Sequence, residues 1–177
     1  MHSSYVEHDF GKVFHSLVTA YMPVRCVELG VLEGYSTIAI AKALKENAER
    51  RGTHGQLEAY DLFEDYPYRH STLETAWKNI VEAGVEQFVS LQKADAFTVH
   101  ERYVDYSVHL LHVDLSNTGE TLCRIIEAWD KKLTVGGLLT LTGSNATTQR
   151  VRVFGGTVNG VTPGQTRTLS AASVSLT

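Results

Sequence analysis

Two glycines and a serine follow the first apolar run of the chain, in the segment VELGVLEGYS at residues 27–36. Gly30 and Gly34 let the backbone turn tightly and approach a ligand closely. Ser36 opens a segment of helical period, and the free N–H groups at a helix start favour an anion such as a carboxylate. This spacing predicts a turn that receives a ligand with an anionic end.

Acidic residues stand at the ends of three later apolar runs: Asp61, Asp95 and Asp114. Asp61 is placed where a carboxylate can accept the hydroxyl hydrogens of a ribose. An acidic rim suits a cofactor that is cationic and carries no phosphate, and S-adenosylmethionine (SAM) has a ribose, an adenine, a sulfonium and an amino-acid end. A dinucleotide fits less well, because Glu28 occupies the first glycine position of a G-x-G-x-x-G motif.

Three residues near these acids are candidate proton acceptors: Asp114, His112 and His70. Transfer of a methyl group from a sulfonium is an in-line displacement, so the protein positions the reactants and removes a proton where necessary. His112 alternates with Asp114, which can place both side chains on one face of a strand. His70 ends the segment FEDYPYRH, whose aromatic residues can shape an acceptor pocket.

The candidate cofactor-binding residues are therefore Glu28, Gly30, Gly34, Ser36, Asp61, Asp95 and Asp114. Several of these residues, and both histidines, also have a structural interpretation. Asp61 and Asp95 can cap the turns that follow them, and Glu28 can support the glycine turn without touching a ligand. A histidine in a strand, such as His112, is often packed in a core. The segment that contains His70 can be an ordinary solvated loop.

The elements that must position these residues are five apolar runs, which predict strands at 24–29, 56–61, 88–92, 107–114 and 136–142. Segments of helical period lie before the first strand, at 9–21, and after the first, second and fourth strands. This alternation predicts right-handed crossovers and an α/β fold, a doubly wound and mainly parallel sheet with helices on both faces. Ligands bind such sheets beyond the carboxyl ends of the strands.

Helix boundaries can be placed from capping residues. We expect Ser36 to cap the first of the three connecting helices and Gly52 to follow its end. Ser71 and Glu74 form an S-x-x-E capping box for the second, and Asn117 with Glu120 resembles a capping pair for the third.

Composition narrows the function classes. With 177 residues, 43% hydrophobic and 20% charged residues, the chain is an ordinary globular protein with one core. Its net charge of −4 disfavours a nucleic-acid partner. We expect no membrane partner and a cytoplasmic location, because the start lacks a signal-peptide pattern and no apolar stretch reaches about 20 residues.

Charge divides the chain near residue 145. Residues 1–145 carry 13 Lys and Arg against all 20 acids, a net charge of −7, whereas residues 146–177 carry three arginines and no acid. We predict a cofactor-binding domain over 1–145 and an atypical C-terminal segment over 146–177. That segment suits either a β-hairpin around Asn159-Gly160 or a flexible tail.

The sequence resembles class I SAM-dependent methyltransferases, and within them the catechol and caffeoyl-CoA O-methyltransferase group. VELGVLEGYSTIAIA is similar to the first motif of that group, GVEQFVSLQKADA to its approach to the third strand, and LLHVDLSNTGETL with VGGLLTLTG to its fourth and fifth strands. The resemblance covers about residues 10–145 and implies a Rossmann-like methyltransferase sandwich. It implies that Gly30, Gly34 and Ser36 hold the methionine end, that Asp61 binds the ribose, and that Asp95 or a nearby backbone group meets the adenine.

The sequence departs from the metal-dependent members of that group. Asp114 matches their strand-4 aspartate, but Asn117 stands at the position of their lysine base, and Gly143-Ser144-Asn145 replaces their acidic pair. Hard cations prefer several oxygen ligands, so we expect no metal ion.

The resemblance implies a SAM-dependent methyltransferase, an enzyme that acts on a small-molecule acceptor, most naturally at oxygen. Two alternatives stay open: a methyltransferase-like module that binds the cofactor without catalysis, and a nicotinamide-dependent oxidoreductase. A homodimer is compatible with all three.

Overall fold

The chain alternates strands and helices in a computed structural model that describes residues 9–68, 71–115, 119–145, 148–155 and 170–175. The helices are α1 (Gly11–Tyr21), α2 (Tyr35–Arg51), α3 (Leu73–Glu82) and α4 (Gly119–Trp129). The strands are β1 (Arg25–Leu29), β2 (Gln56–Asp61), β3 (Val89–Lys93), β4 (Val108–Val113), β5 (Leu133–Asn145), β6 (Thr148–Gly155) and β7 (Ser170–Ser175). Short 3-10 turns lie at Phe63–Asp65, Glu86–Phe88 and Val99–Arg102.

One sheet contains all seven of these strands, in the order β3-β2-β1-β4-β5-β6-β7. Strands β1 to β5 pair in parallel, which confirms the predicted fold class. The order of the strands reverses between β1 and β4, where Leu29 of β1 pairs with Val113 of β4 and with Tyr60 of β2. This reversal is the switch point at which open α/β sheets bind ligands.

Helices cover both faces of the sheet. Buried residues of α1, α2 and α3, such as Phe14, Leu44 and Ile80, belong to one hydrophobic cluster. Ile125 and Trp129 of α4 belong to a second cluster. The sheet is therefore enclosed between two apolar layers, and its strand ends supply the polar positions.

Two predicted helix caps are wrong by one or two residues. Helix α2 begins at Tyr35 after Gly34, whose φ of +90° is left-handed, and the hydroxyl of Ser36 points to a carboxylate instead of capping the helix. The cap of α3 is Thr72, which accepts a hydrogen bond from the backbone N–H of Thr75 at 3.1 Å. The predicted end of α2 is confirmed, because Gly52 donates its N–H to the carbonyl of Ala48.

The last part of the chain extends the sheet. β6 pairs antiparallel with β5, and β7 pairs antiparallel with β6. The turn expected at Asn159-Gly160 and the cap expected at Asn117 lie outside the described residues. No helix among the described residues is both long and apolar enough to cross a bilayer.

Candidate functional site

A cavity of about 580 Å³ opens at the carboxyl edge of the sheet, beside the reversal of strand order. Its walls come from the segments that follow β1, β2, β3 and β4, and from the start of α4. Predicted site residues Gly30, Asp61, Asp95 and Asp114 line it together. Apolar and aromatic side chains fill in the walls: Leu62, Phe63, Tyr66, Phe97 and Leu115.

The glycine turn begins the cavity at Gly30. The φ of Gly30 is +90°, and a Cβ atom at this position would lie 2.1 Å from the carbonyl oxygen of Asp114. The N–H of Asp114 donates to Leu29 at 2.8 Å, and the N–H of Gly30 donates to Tyr60 at 2.9 Å. The ends of β1 and β4 therefore meet so closely that only glycine fits between them.

Asp61 binds the backbone of two loops with its carboxylate. Its Oδ2 atom accepts hydrogen bonds from the N–H groups of Val31, at 2.7 Å, and Leu32, at 3.0 Å. Its Oδ1 atom accepts from the N–H of Phe63 at 2.9 Å. Asp61 thus faces the cavity and also joins the β1–α2 loop to the β2–α3 loop.

Asp95 and Asp114 complete the acidic lining. Asp95 is exposed, and its Oδ1 accepts a local hydrogen bond from the N–H of Phe97 at 2.9 Å. Asp114 follows β4 and is partly exposed at the cavity. The guanidinium of Arg124 lies 3.9 Å above the ring of Phe97, which fixes one aromatic wall between β3 and α4.

Glu28 is fully buried next to the cavity and is not among the residues that line it. Its two carboxyl oxygens accept hydrogen bonds from the hydroxyls of Ser36, at 2.5 Å, and Thr37, at 2.6 Å. Burial, opposed by the two hydroxyls and aided by the charges of Asp114 and Asp61, raises the pKa of Glu28 to about 8. This arrangement fastens the first turn of α2 to β1.

His112 is also fully buried, in register with Glu28 on β1 and Thr140 on β5. Its Nδ1 atom lies 2.9 Å from the hydroxyl of Thr140, and its Nε2 atom lies 3.9 Å from Glu28. Burial lowers the pKa of His112 to about 3, so the ring is neutral at physiological pH. His112 and Asp114 alternate along the chain as predicted, but His112 packs against Phe14 and does not line the cavity. His112 is therefore not in a position to accept a proton from a molecule in the cavity.

Three predicted site residues remain: Gly34, Ser36 and His70. Gly34 has the expected left-handed backbone but caps α2 outside the cavity lining, and the hydroxyl of Ser36 is turned toward Glu28. His70 lies outside the described residues.

Sequence reasoning missed several residues that shape the site. Thr37 and Thr140 hold Glu28 and His112, and a hydroxyl at either position carries no motif that marks it. Glu64 belongs to no motif, yet it lies 3.1 Å from Lys93 and accepts the N–H of Leu73 at 3.2 Å. Leu62 and Phe97 also line the cavity. They follow Asp61 and Asp95 by one and two residues, but no motif marks them.

Comparisons with known proteins agree with this geometry. The family model described as a methyltransferase domain matches residues 27–141, which is more than half of the chain and includes the end of β1, the glycine turn and strands β2 to β4. A search of curated proteins gives no significant match.

Solved structures of methyltransferases share the fold. The O-methyltransferase TomG of Streptomyces achromogenes, in complex with SAM, is 20% identical with a TM-score of 0.57 over 76% of this chain. A putative O-methyltransferase of Klebsiella pneumoniae is 24% identical with a TM-score of 0.59 over 80% of this chain. A putative caffeoyl-CoA O-methyltransferase of Staphylococcus aureus is 15% identical with a TM-score of 0.57 over 74% of this chain. This chain spans 55%, 57% and 55% of those three chains.

Proposed function

Since the chain belongs to the methyltransferase domain family, we propose that it transfers a methyl group from SAM to a small-molecule acceptor, at an oxygen atom of that acceptor. The observation that carries the proposal is the convergence of Gly30, Asp61, Asp95 and Asp114 on one cavity at the switch point of the sheet. TomG and related O-methyltransferases with this fold support both the cofactor and the reaction class.

The lining of the cavity fits this cofactor chemically. SAM carries a positive sulfonium, and the described lining offers three carboxylates, whereas a dinucleotide would bring phosphates to the same acids. Apolar side chains, including Leu62 and Leu115, suit the faces of an adenine ring. The tight turn at Gly30 leaves the backbone close to the cavity for the amino-acid end.

Bound SAM would supply an electrophilic methyl group, so the protein itself has to orient the acceptor and exclude water. We assign proton removal from the acceptor hydroxyl to Asp114, which follows β4 and is partly exposed at the cavity. The aromatic walls at Phe97 and Tyr66 favour an acceptor with an apolar ring.

Calorimetry with SAM, S-adenosylhomocysteine and NAD tests the cofactor. We expect both sulfur compounds to bind with a Kd below about 100 μM. NAD should bind at least about tenfold more weakly, a difference in binding free energy of at least about 1.4 kcal/mol. Binding of NAD without SAM would overturn the proposal in favour of an oxidoreductase.

A methyl-transfer assay with phenolic and aliphatic alcohols then tests the reaction. We expect Asp114→Asn to lower kcat by about 10²-fold while affinity for S-adenosylhomocysteine changes by less than about threefold. Asp95→Asn is the matched control, since it removes one charge from the same cavity and should leave kcat within about threefold. Cofactor binding without turnover of any acceptor would support the alternative of a binding module.

A further inference from the structure

Asp61 holds two loops that come from different parts of the chain. The N–H groups of Val31 and Leu32 belong to the glycine turn, and the N–H of Phe63 belongs to the loop after β2. All three reach one carboxylate at 2.7 to 3.0 Å, within the range of strong charge-assisted bonds.

Two of the three donors have an unfavourable backbone conformation. Leu32 has a φ of +55° and Phe63 a φ of +49°, in the left-handed region that L-residues with large side chains rarely adopt. Such a conformation is unfavourable for these residues, so surrounding contacts must impose it. The carboxylate of Asp61 is the contact that both residues share.

The same carboxylate keeps room for a ligand. A carboxylate accepts about four hydrogen bonds, and the backbone uses three of them. This leaves about one place for a ribose hydroxyl. Binding of the ribose would therefore add to the loop contacts without displacing them.

We propose that Asp61 is a positioning residue which shapes the glycine turn to receive the amino-acid end of the cofactor, in addition to binding the ribose. The inference rests on the proposed function. It predicts that loss of this carboxylate weakens contacts with a part of the ligand that Asp61 does not touch.

Two ligands separate this effect from ribose binding. S-adenosylhomocysteine and 5′-methylthioadenosine share the adenine and the ribose, but only the first has the amino-acid end. The ratio of their dissociation constants measures the contribution of that end within a single protein preparation, so partial misfolding of a variant cancels. If Asp61 only binds the ribose, Asp61→Asn weakens both ligands equally.

We expect the Kd of 5′-methylthioadenosine divided by that of S-adenosylhomocysteine to fall at least about fivefold in Asp61→Asn. Asp95→Asn is the matched control. Asp95 lines the same cavity, but its carboxylate accepts a hydrogen bond from its own loop, at Phe97, and not from the glycine turn. Its ratio should equal that of the wild type. Weaker binding of both ligands with an unchanged ratio in Asp61→Asn overturns the inference alone, whereas a wild type that does not bind S-adenosylhomocysteine overturns the proposed function and this inference with it.

Amide hydrogen exchange gives a second measurement that needs no ligand. In the unliganded wild type, the amides of Val31, Leu32 and Phe63 should exchange more slowly than free loop amides by at least about tenfold. Asp61→Asn should remove that protection, because an amide side chain cannot accept all three bonds. Unprotected amides in the wild type would overturn the inference even if the variant failed to fold.

Discussion

Glu28 and Asp61 are acids on neighbouring strands, and each binds the segment that follows β1, yet their surroundings differ. Glu28 is fully buried and accepts two side-chain hydroxyls from the first turn of α2. Asp61 ends β2, faces the cavity and accepts backbone N–H groups from the glycine turn. The same chemical group is thus a structural anchor inside the sheet and a cavity-facing group at its edge.

The difference follows from position along each strand. Glu28 precedes the last residue of β1, so its side chain stays beneath the helices, in register with His112. Asp61 is the last residue of β2, where the covering layers end. Burial decides the protonation of Glu28, whereas exposure to the cavity leaves Asp61 available to a ligand.

The largest expected effect comes from Gly30, which follows Glu28 by two residues and packs closely against the backbone of Asp114. Gly30→Ala should destabilise the fold by about 3 kcal/mol and abolish cofactor binding, because the added Cβ would overlap the carbonyl of Asp114 at a left-handed φ. Chemical denaturation and calorimetry measure the two effects.

Gly52→Ala is the matched control. Gly52 also has a left-handed φ, of +68°, but a Cβ there meets nothing within 4 Å. It should cost about 1 kcal/mol and leave cofactor affinity unchanged. If both alanine variants bound the cofactor alike, the tight approach of β1 and β4 would have no role in the site.

The sheet could be predicted from sequence because apolar runs and helical periods are local signals. The predicted run at 56–61 coincides with β2, and that at 24–29 differs from β1 by one residue. Strand β5 is longer than expected, since it runs from Leu133 to Asn145 and extends past both ends of the predicted run at 136–142. Asp61, Asp95 and Asp114 line the cavity as expected, because strand ends of a parallel sheet share one edge.

The inward-facing residues could not be placed from sequence. Alternation put His112 and Asp114 on one face, but it could not show that β5 and α1 cover the first of them. Ser36 has the residue type of a helix cap, and only the tertiary position of Glu28 explains why its hydroxyl turns away from the helix start. Contacts between distant segments decide such cases.

A smaller effect is expected at Glu28, the buried acid. Glu28→Ala should destabilise the fold by about 2 kcal/mol, since it leaves the hydroxyls of Ser36 and Thr37 without their acceptor. Glu28→Gln keeps an acceptor and imitates the protonated side chain, so at pH 5 it should cost less than about 1 kcal/mol.

The sign of the pH dependence follows from the raised pKa of Glu28. In the folded state Glu28 keeps its proton up to a pKa of about 8, whereas in the unfolded state it loses the proton near its ordinary pKa of 4.5. The contribution of Glu28 to the free energy of unfolding is therefore fully present below pH 4.5. It decreases as pH rises toward 8, by at most about 1.4 kcal/mol per pH unit. Glu28→Gln removes this decrease, so its stability relative to the wild type should improve between pH 5 and pH 8.

Denaturation of both proteins across that pH range measures the difference. The lowered pKa of His112 acts in the opposite direction, because the contribution of His112 to stability decreases as pH falls below 6.5 toward 3. Both proteins contain His112, so this effect cancels in the difference. Asp61 and Asp114, whose charges also act on Glu28, are likewise unchanged. A constant difference between the two proteins would mean that Glu28 is ionised inside the fold.

The smallest effect is expected at the outer side of the cavity, where Lys93 lies 3.1 Å from Glu64 and 3.3 Å from Asp65. These side chains are 34%, 40% and 62% exposed, so water and salt screen the pairs. Lys93→Met should lower the free energy of unfolding only slightly, much less than Glu28→Ala does, and this loss should shrink in 1 M salt. Glu64 also accepts the N–H of Leu73, so Glu64→Gln, which keeps a carbonyl acceptor, should be similarly mild. A loss from Lys93→Met as large as that from Glu28→Ala would show that the exposed ion pairs, and not the buried anchor, maintain the loop beside the cavity.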